Sequence, residues 1–213
     1  MAQTKTHLSH AIKGIYALTP DNIDTVDLLR WVRQALSGGV QVLQYRNKIA
    51  DAALRLAQAL ALRALTREFG VTFIVNDDAQ LAAAADADGV HLGAKDGGVQ
   101  AARAVLGSGK LIGVSCYNQL QLAREAVLAG ADYVAFGAFH VSTVKPDAVV
   151  ATLDLLRNAR SEISLPIIAI GGIHAMNGAA LVEAGADALA VISAIFDAAD
   201  IRVAAQSLSK LFK

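Results

Sequence analysis

The sequence predicts an α/β protein, a single (β/α)8 TIM barrel spanning residues 1–213, on three observations. Short β-branched apolar runs recur along the whole chain, helix-like segments separate them, and one helix-end, turn and strand pattern repeats. The runs fall at residues 14–18, 40–44, 71–75, 89–92, 111–114, 133–136, 167–170 and 188–192. They are almost continuously apolar, which fits strands buried on both faces, as a parallel sheet requires.

The segments between them carry helical spacing. In residues 25–36, Val26, Leu29, Val32 and Leu36 recur close to every 3.6 positions, and residues 52–69 and 120–128 behave likewise. Several of these segments stop at glycine just before the next run, at Gly38-Gly39, Gly70, Gly130 and Gly185, where a helix end often needs a left-handed residue. The repeat is visible as Ala87-Asp88-Gly89-Val90, Ala131-Asp132-Tyr133-Val134 and Ala186-Asp187-Ala188-Leu189. An open doubly wound sheet is the alternative architecture, but at this length it would normally hold fewer strands.

Bulk composition narrows the function. With 54% hydrophobic and 18% charged residues the chain has ample material for a core, so general disorder is excluded. Nineteen basic and 19 acidic side chains cancel, which argues against a nucleic-acid partner. Cys116 is the single cysteine, so no intramolecular disulfide framework exists, and a reducing compartment is expected. The first 14 residues lack the apolar core of a signal peptide, and runs such as 167–170 are too short to cross a bilayer. The expectation is a cytoplasmic protein without a membrane partner.

Active sites of such barrels lie at the C-terminal ends of the strands, and polar residues collect there. The first run leads into Thr19 and Asp21; the second into Gln44, Arg46 and Lys48, alternating along Gln44-Tyr45-Arg46-Asn47-Lys48. The third ends in Asn76-Asp77, the fourth in His91 followed by Asp96, and the fifth in Ser115. The sixth leads to Ser142, Thr143 and Lys145, the seventh to Gly171-Gly172 and the eighth to Ile192-Ser193.

Each position also has a plainer reading. Arg46 and Lys48 could be solvated loop charges, and Asn76-Asp77 could cap the following helix. His91 fits a satisfied inner histidine better than a ligand, and Cys116 fits packing better than nucleophilic attack. The joint arrangement favours a site, since nearly every strand ends in a residue suited to an anion or a metal. Gly171-Gly172 and Ile192-Ser193, each expected to precede a helix, suit a phosphate approached by backbone N–H groups. Asp77 and Asp96 are the metal candidates: two carboxylates supply the hard oxygen ligands that Mg²⁺ takes, with water or phosphate oxygens completing its shell. No His/Cys spacing resembles a structural zinc site.

In this order, the segments resemble those of the thiamine phosphate synthase family, over nearly the whole chain. They are the stretch from Gln44 to Lys48, FIVNDDAQLA around Asn76-Asp77, DGVHLGAKD ending at Asp96, GVSC around Ser115, GADYVAFGAF leading to Lys145, and AIGGI around Gly172. The resemblance implies a transferase of thiamine biosynthesis that joins hydroxymethylpyrimidine diphosphate to a thiazole phosphate and releases pyrophosphate, by a dissociative, Mg²⁺-assisted route. It implies that Gln44, Tyr45, Arg46, Asn47, Lys48, Asn76, Ser115 and Lys145 hold the pyrimidine diphosphate. Arg46, Lys48, Ser115 and Lys145 are the catalytic candidates among them. It further implies that Asp77 and Asp96 hold one Mg²⁺ ion, and that Ser142, Thr143, Val144, Gly172, Ile192 and Ser193 hold the thiazole phosphate.

One segment departs from the family pattern. A Thr-x-Thr-Lys element usually follows the sixth strand, after a proline-containing turn; here the stretch reads His140-Val141-Ser142-Thr143-Val144-Lys145. Val144 keeps the shape of threonine but lacks its hydroxyl, a loss of about 1–3 kcal/mol if that group serves a phosphate. Three rival readings share the barrel: a thiazole tautomerase, a barrel that binds a phosphorylated ligand without turnover, and a sugar-phosphate or tryptophan-pathway enzyme. The tautomerase would need a histidine near Ala138, and the last rival leaves the two aspartates and Gln44-x-Arg46-x-Lys48 without a role. The apolar positions on the outer helices fit either packing or a homo-oligomer interface.

Overall fold

The computed structural model describes residues 12–140 and 150–212. Eight parallel strands close into a barrel in chain order, β1 Gly14–Leu18, β2 Val42–Tyr45, β3 Thr72–Asn76, β4 Gly89–Leu92, β5 Leu111–Tyr117, β6 Tyr133–Gly137, β7 Ile167–Ile170 and β8 Ala188–Val191. The predicted runs and the strands agree to within a residue or two except in β5, which continues three residues further, to Tyr117. The extension carries a register shift between Ser115 and Tyr117 against β6. An extra residue on one strand bends it and re-aims its neighbours.

Around the barrel lie α1 Thr25–Ser37, α2 Ala52–Phe69, α3 Ala79–Ala84, α4 Gly98–Leu106, α5 Leu120–Ala129, α6 Leu153–Glu162, α7 Ala179–Glu183, α8 Ser193–Phe196 and α9 Ile201–Ser209. Their starts are set by aspartate and threonine caps. Asp24, Asp51, Asp78, Thr152 and Asp200 each accept a first-turn backbone N–H of the helix that follows. Gly70 and Gly130 end α2 and α5 in the left-handed conformation, at φ 64° and 88°. None of the described helices is long and apolar enough to cross a membrane.

Two hydrophobic clusters result, because alternate residues of each strand face opposite ways. Outward side chains such as Ile15, Leu43, Phe73, Val90, Ile112 and Leu189 pack under the helices. Inward ones such as Tyr16, Val42, Ile74, Leu111, Tyr133 and Ile168 fill the barrel itself. The charged residues of the inward parity collect at the C-terminal rim.

Candidate active site

A cavity of about 720 Å³ opens at that rim, walled by residues from every strand end. On β2 and its continuation, Gln44, Arg46 and Lys48 share the inward parity and line it. Thr19 fixes this stretch by a reciprocal pair: its hydroxyl donates to the Arg46 carbonyl at 2.8 Å and accepts the Arg46 N–H at 2.9 Å. Asp21 completes the clamp, accepting the Lys48 backbone N–H at 2.7 Å and Arg46 Nη1 at 3.1 Å. The sequence places Thr19 and Asp21 at the first strand end without assigning this role.

Tyr45 and Asn47 have the opposite parity, and the structure does not bring their side chains to the main cavity. The Tyr45 hydroxyl donates to Gln58 Oε1 on α2 at 2.8 Å, and burial pushes its pKa up to about 12. Asn47 Nδ2 donates to the same oxygen at 2.9 Å and to the Asn22 carbonyl at 2.6 Å. Both residues instead line an adjoining cavity of about 410 Å³ that shares Arg46, Lys48, Asn76 and Asp77. Their hydrogen bonds make them supports of the loop.

Asn76 ends β3 and Asp77 follows it, both on the wall of both cavities. The capping alternative is corrected: Asp78, not Asn76 or Asp77, accepts the Leu81 N–H and caps α3. Asp77 is free for another task, and its backbone is held left-handed at φ 63°, with its N–H donating to the His91 carbonyl at 2.8 Å. A non-glycine residue in that region costs free energy that surrounding contacts must offset. The Asp77 carboxyl titrates above the usual carboxylate range, first through burial and then through the charge and hydrogen bond of Asp96, against the opposing pull of Lys48. Lys48 Nζ stands 3.9 Å from it. Asp96 is pinned from the other side, where Oδ2 accepts the Gly93 N–H at 2.7 Å.

A carboxyl raised in part by the charge of a second, neighbouring carboxylate suits a cation between the two. Among the described residues no group of three His, Cys, Asp or Glu side chains could hold a metal. A site of two carboxylates with open positions fits Mg²⁺, which keeps waters and recruits phosphate oxygens, better than a metal needing a full protein cage.

Ser115 lines the cavity from β5, and Cys116 beside it turns into the outer core. Burial pushes the Cys116 thiol up to about 12, which leaves it a packing residue, as expected. His91 is also as expected: enclosed, with both ring nitrogens partnered and its pKa drawn down to about 4 by burial.

Opposite, Gly171 and Gly172 have φ 105° and 60°, and a Cβ at Gly171 would stand 2.4 Å from that of Ala138. The helix expected directly after them is corrected: a turn over residues 173–178 intervenes before α7. Asn177 closes that turn, accepting the His174 N–H at 2.8 Å and donating to the Gly172 carbonyl at 3.0 Å. An asparagine followed by glycine is a turn signal that could have marked it. Likewise Ser193 opens the short α8 before the final helix, α9, rather than α9 itself. Ile192 and Ser193 line the cavity, and the first N–H groups of α8 have no partner within the helix. Ser142, Thr143, Val144 and Lys145 lie outside the described residues; His140 beside them donates its N–H to the Gly171 carbonyl at 3.1 Å.

The closed barrel with this rim of carboxylates, cations and glycine turns defines a (β/α)8-barrel enzyme. Residues 15–195 match the family described as thiamine monophosphate synthase. The chain is 56% identical over 199 residues to the thiamine-phosphate synthase of Thiobacillus denitrificans, spanning 93% of this chain and 94% of the relative. It is 53% identical over 206 residues to that of Methylobacillus flagellatus, spanning 97% and 98%. The solved thiamine phosphate pyrophosphorylase from Pyrococcus furiosus superposes with a TM-score of 0.87 at 36% identity, over 96% of each chain. The chain therefore belongs to the thiamine monophosphate synthase family. A 3-hexulose-6-phosphate synthase with a TM-score of 0.68 and 21% identity, over 92% of this chain and 99% of that one, shares the fold alone.

Proposed function

We propose that this chain is a thiamine-phosphate synthase, a transferase that joins hydroxymethylpyrimidine diphosphate to hydroxyethylthiazole phosphate and releases pyrophosphate. The observation that carries the reading, beside family membership, is that two unlike halves of the rim open into one cavity. Arg46, Lys48, Asn76, Asp77 and Asp96 on the β2–β4 side suit a diphosphate. Gly172, Ile192 and Ser193 on the β7–β8 side suit a monophosphate. Two phosphorylated substrates are thereby held with their rings facing across the middle, which supplies proximity.

The chemistry follows from what the cavity contains. The bond between the pyrimidine methylene carbon and the diphosphate oxygen breaks with its electrons going to pyrophosphate, and the thiazole nitrogen then bonds to the methylene carbon. Charge grows on the departing oxygens, and Arg46 and Lys48 stabilise it; the family resemblance assigns Lys145 to the same task. Gln44 and Ser115 hold the pyrimidine ring. Asp77 and Asp96 would hold Mg²⁺, which when bound neutralises charge on the pyrophosphate. No general base is required, which agrees with an enclosed neutral His91 and a turned-away Cys116. Ala138 stands on the cavity wall where the tautomerase reading needs an imidazole, which favours the synthase. We place the reaction in the cytoplasm, the lone thiol fitting a reducing compartment.

The test is pyrophosphate release and thiamine phosphate formation from the pyrimidine diphosphate with Mg²⁺, with and without thiazole phosphate. Product that needs both substrates and metal is expected. Thiazole phosphate binding without any product would reject the synthase reading.

A further inference from the structure

Five polar side chains run as one hydrogen-bonded chain beneath the cavity. Gln44 Nε2 donates to the Tyr16 hydroxyl at 2.8 Å, and that hydroxyl lies 3.0 Å from the Tyr133 hydroxyl. Tyr133 stands 3.2 Å from His91 Nδ1, and His91 Nε2 stands 2.9 Å from Ser115 Oγ. Gly113 makes the crossing possible, since a Cβ there would meet the Tyr133 ring at 2.0 Å. The Tyr133 and His91 rings stack with centroids 5.5 Å apart. Tyr16, Tyr133 and His91 are at most 7% exposed, so water offers them no substitute partner. Both ends of the chain reach the cavity wall. At one end, Gln44 Oε1 is buried without a partner.

Hydrogen counting gives the chain a direction. Each hydroxyl has one hydrogen, and a neutral imidazole has one N–H. Tyr16 accepts from Gln44, so its own hydrogen can go only to Tyr133. The Tyr133 hydrogen must then go to His91 Nδ1. Nδ1 is an acceptor, the N–H sits on Nε2, and Nε2 donates to Ser115 Oγ. Ser115 has its hydrogen left for the cavity. With the Gln44 amide as it stands, any partial change strands a buried hydroxyl hydrogen, a costly loss. Turning the Gln44 amide over to present its NH₂ group would require both hydroxyls, the imidazole tautomer and Ser115 to reverse together.

From this we infer that Tyr16, Tyr133 and His91 are positioning residues that lock the polarity of Gln44 to that of Ser115, so that the cavity offers an acceptor at Gln44 and a donor at Ser115. A ring with the opposite pair fits: an aminopyrimidine, whose amine donates to Gln44 Oε1 and whose ring nitrogen accepts from Ser115. A pyrimidinone, with a carbonyl in place of the amine, sets acceptor against acceptor and is rejected. This rests on the reading of the cavity as a pyrimidine diphosphate site.

The experiment compares kcat/KM for the 4-amino and 4-oxo pyrimidine diphosphates in the wild type and in Tyr133→Phe, with KM for thiazole phosphate and the melting temperature as controls. Breaking the chain at Tyr133 frees Gln44 to turn alone, and the amino-over-oxo preference falls by about tenfold, while KM for thiazole phosphate holds. An unchanged preference in a folded Tyr133→Phe variant overturns the inference. Tyr16→Phe repeats the measurement should the first variant fail to fold. In the wild type, ¹⁵N-histidine spectra, with His91 assigned by its loss in His91→Gln, are expected to show the Nε2–H tautomer. Nδ1–H at His91 overturns the inference. A wild type that turns over neither pyrimidine would reject the proposed function instead, and the tautomer would still judge the chain.

Discussion

Arg63 on α2 and Asp88, the residue before β4, form a two-pronged ion pair, Nη1 and Nη2 each 2.8 Å from a carboxylate oxygen. The same carboxylate accepts the Phe73 N–H at the start of β3, also at 2.8 Å. The arrangement recurs around the barrel floor. Asp132 takes Arg103 and the Ile112 N–H, and Asp187 takes Arg160 and the Ile167 N–H. Between β1 and β2 the acceptor is neutral, Gln41 Oε1 receiving the Ile15 N–H at 2.7 Å. The Ala-Asp repeat of the sequence is this clasp, which gives a backbone N–H at the first or second residue of β3, β5 and β7 a side-chain partner at the floor of the barrel.

Asp88→Ala strands both the Phe73 N–H and the Arg63 guanidinium. A stability loss of about 1–3 kcal/mol is expected, read as a melting point lower by roughly 2–4 °C per kcal/mol for a chain of this size. Asp88→Asn keeps an acceptor for Phe73 and should lose less. Equal melting points for Asp88→Ala and wild type would refute the clasp. Activity in the folded fraction should be unaffected, because the clasp lies at the opposite end of the barrel from the cavity.

Asp77→Ala and Asp96→Asn are expected to reduce Mg²⁺-dependent turnover by a hundredfold or more, on the order of 3 kcal/mol in the transition state, with little change in melting point. Relief of mutual repulsion should leave Asp77→Ala as stable as wild type without Mg²⁺. Kinetics that stay unchanged across a Mg²⁺ titration would reject the metal assignment.

His91 predicts a pH dependence of stability. Its pKa falls from an ordinary 6.5 to about 4 in the folded protein through burial. Unfolded chains then bind a proton that folded ones do not between those values. The contribution is complete above pH 6.5 and is lost as pH falls from 6.5 toward 4, by up to about 3 kcal/mol. His91→Gln should flatten that stretch of the stability curve, measured by denaturant unfolding at each pH. A slope identical to wild type would show that His91 is not its source.

Cys116 should resist alkylation in the native protein, since its thiol is enclosed and burial pushes its pKa up to about 12. Mass spectrometry is expected to find modification only after unfolding. Prompt native labelling would contradict the packing described for β5.

The sequence by itself determined the closed eight-strand barrel and most of the rim, because strand parity and helical spacing are local properties that buried faces enforce. Gln44, Arg46 and Lys48 were legible as one group for the same reason, as were Asp77 and Asp96 at successive strand ends. Tertiary structure decided what depends on contacts between distant residues. Parity sent Tyr45 and Asn47 to Gln58, and Asp78 left Asp77 free of capping. Thr19 and Asp21, read only as polar residues at a strand end, proved to be the clamp on Arg46. The chain from Gln44 to Ser115 joins residues of β1, β2, β4, β5 and β6, and only closure of the barrel brings them within hydrogen-bond reach. Spacing along the chain carries no trace of such a path, since its energy comes from buried groups that have no water to bond instead.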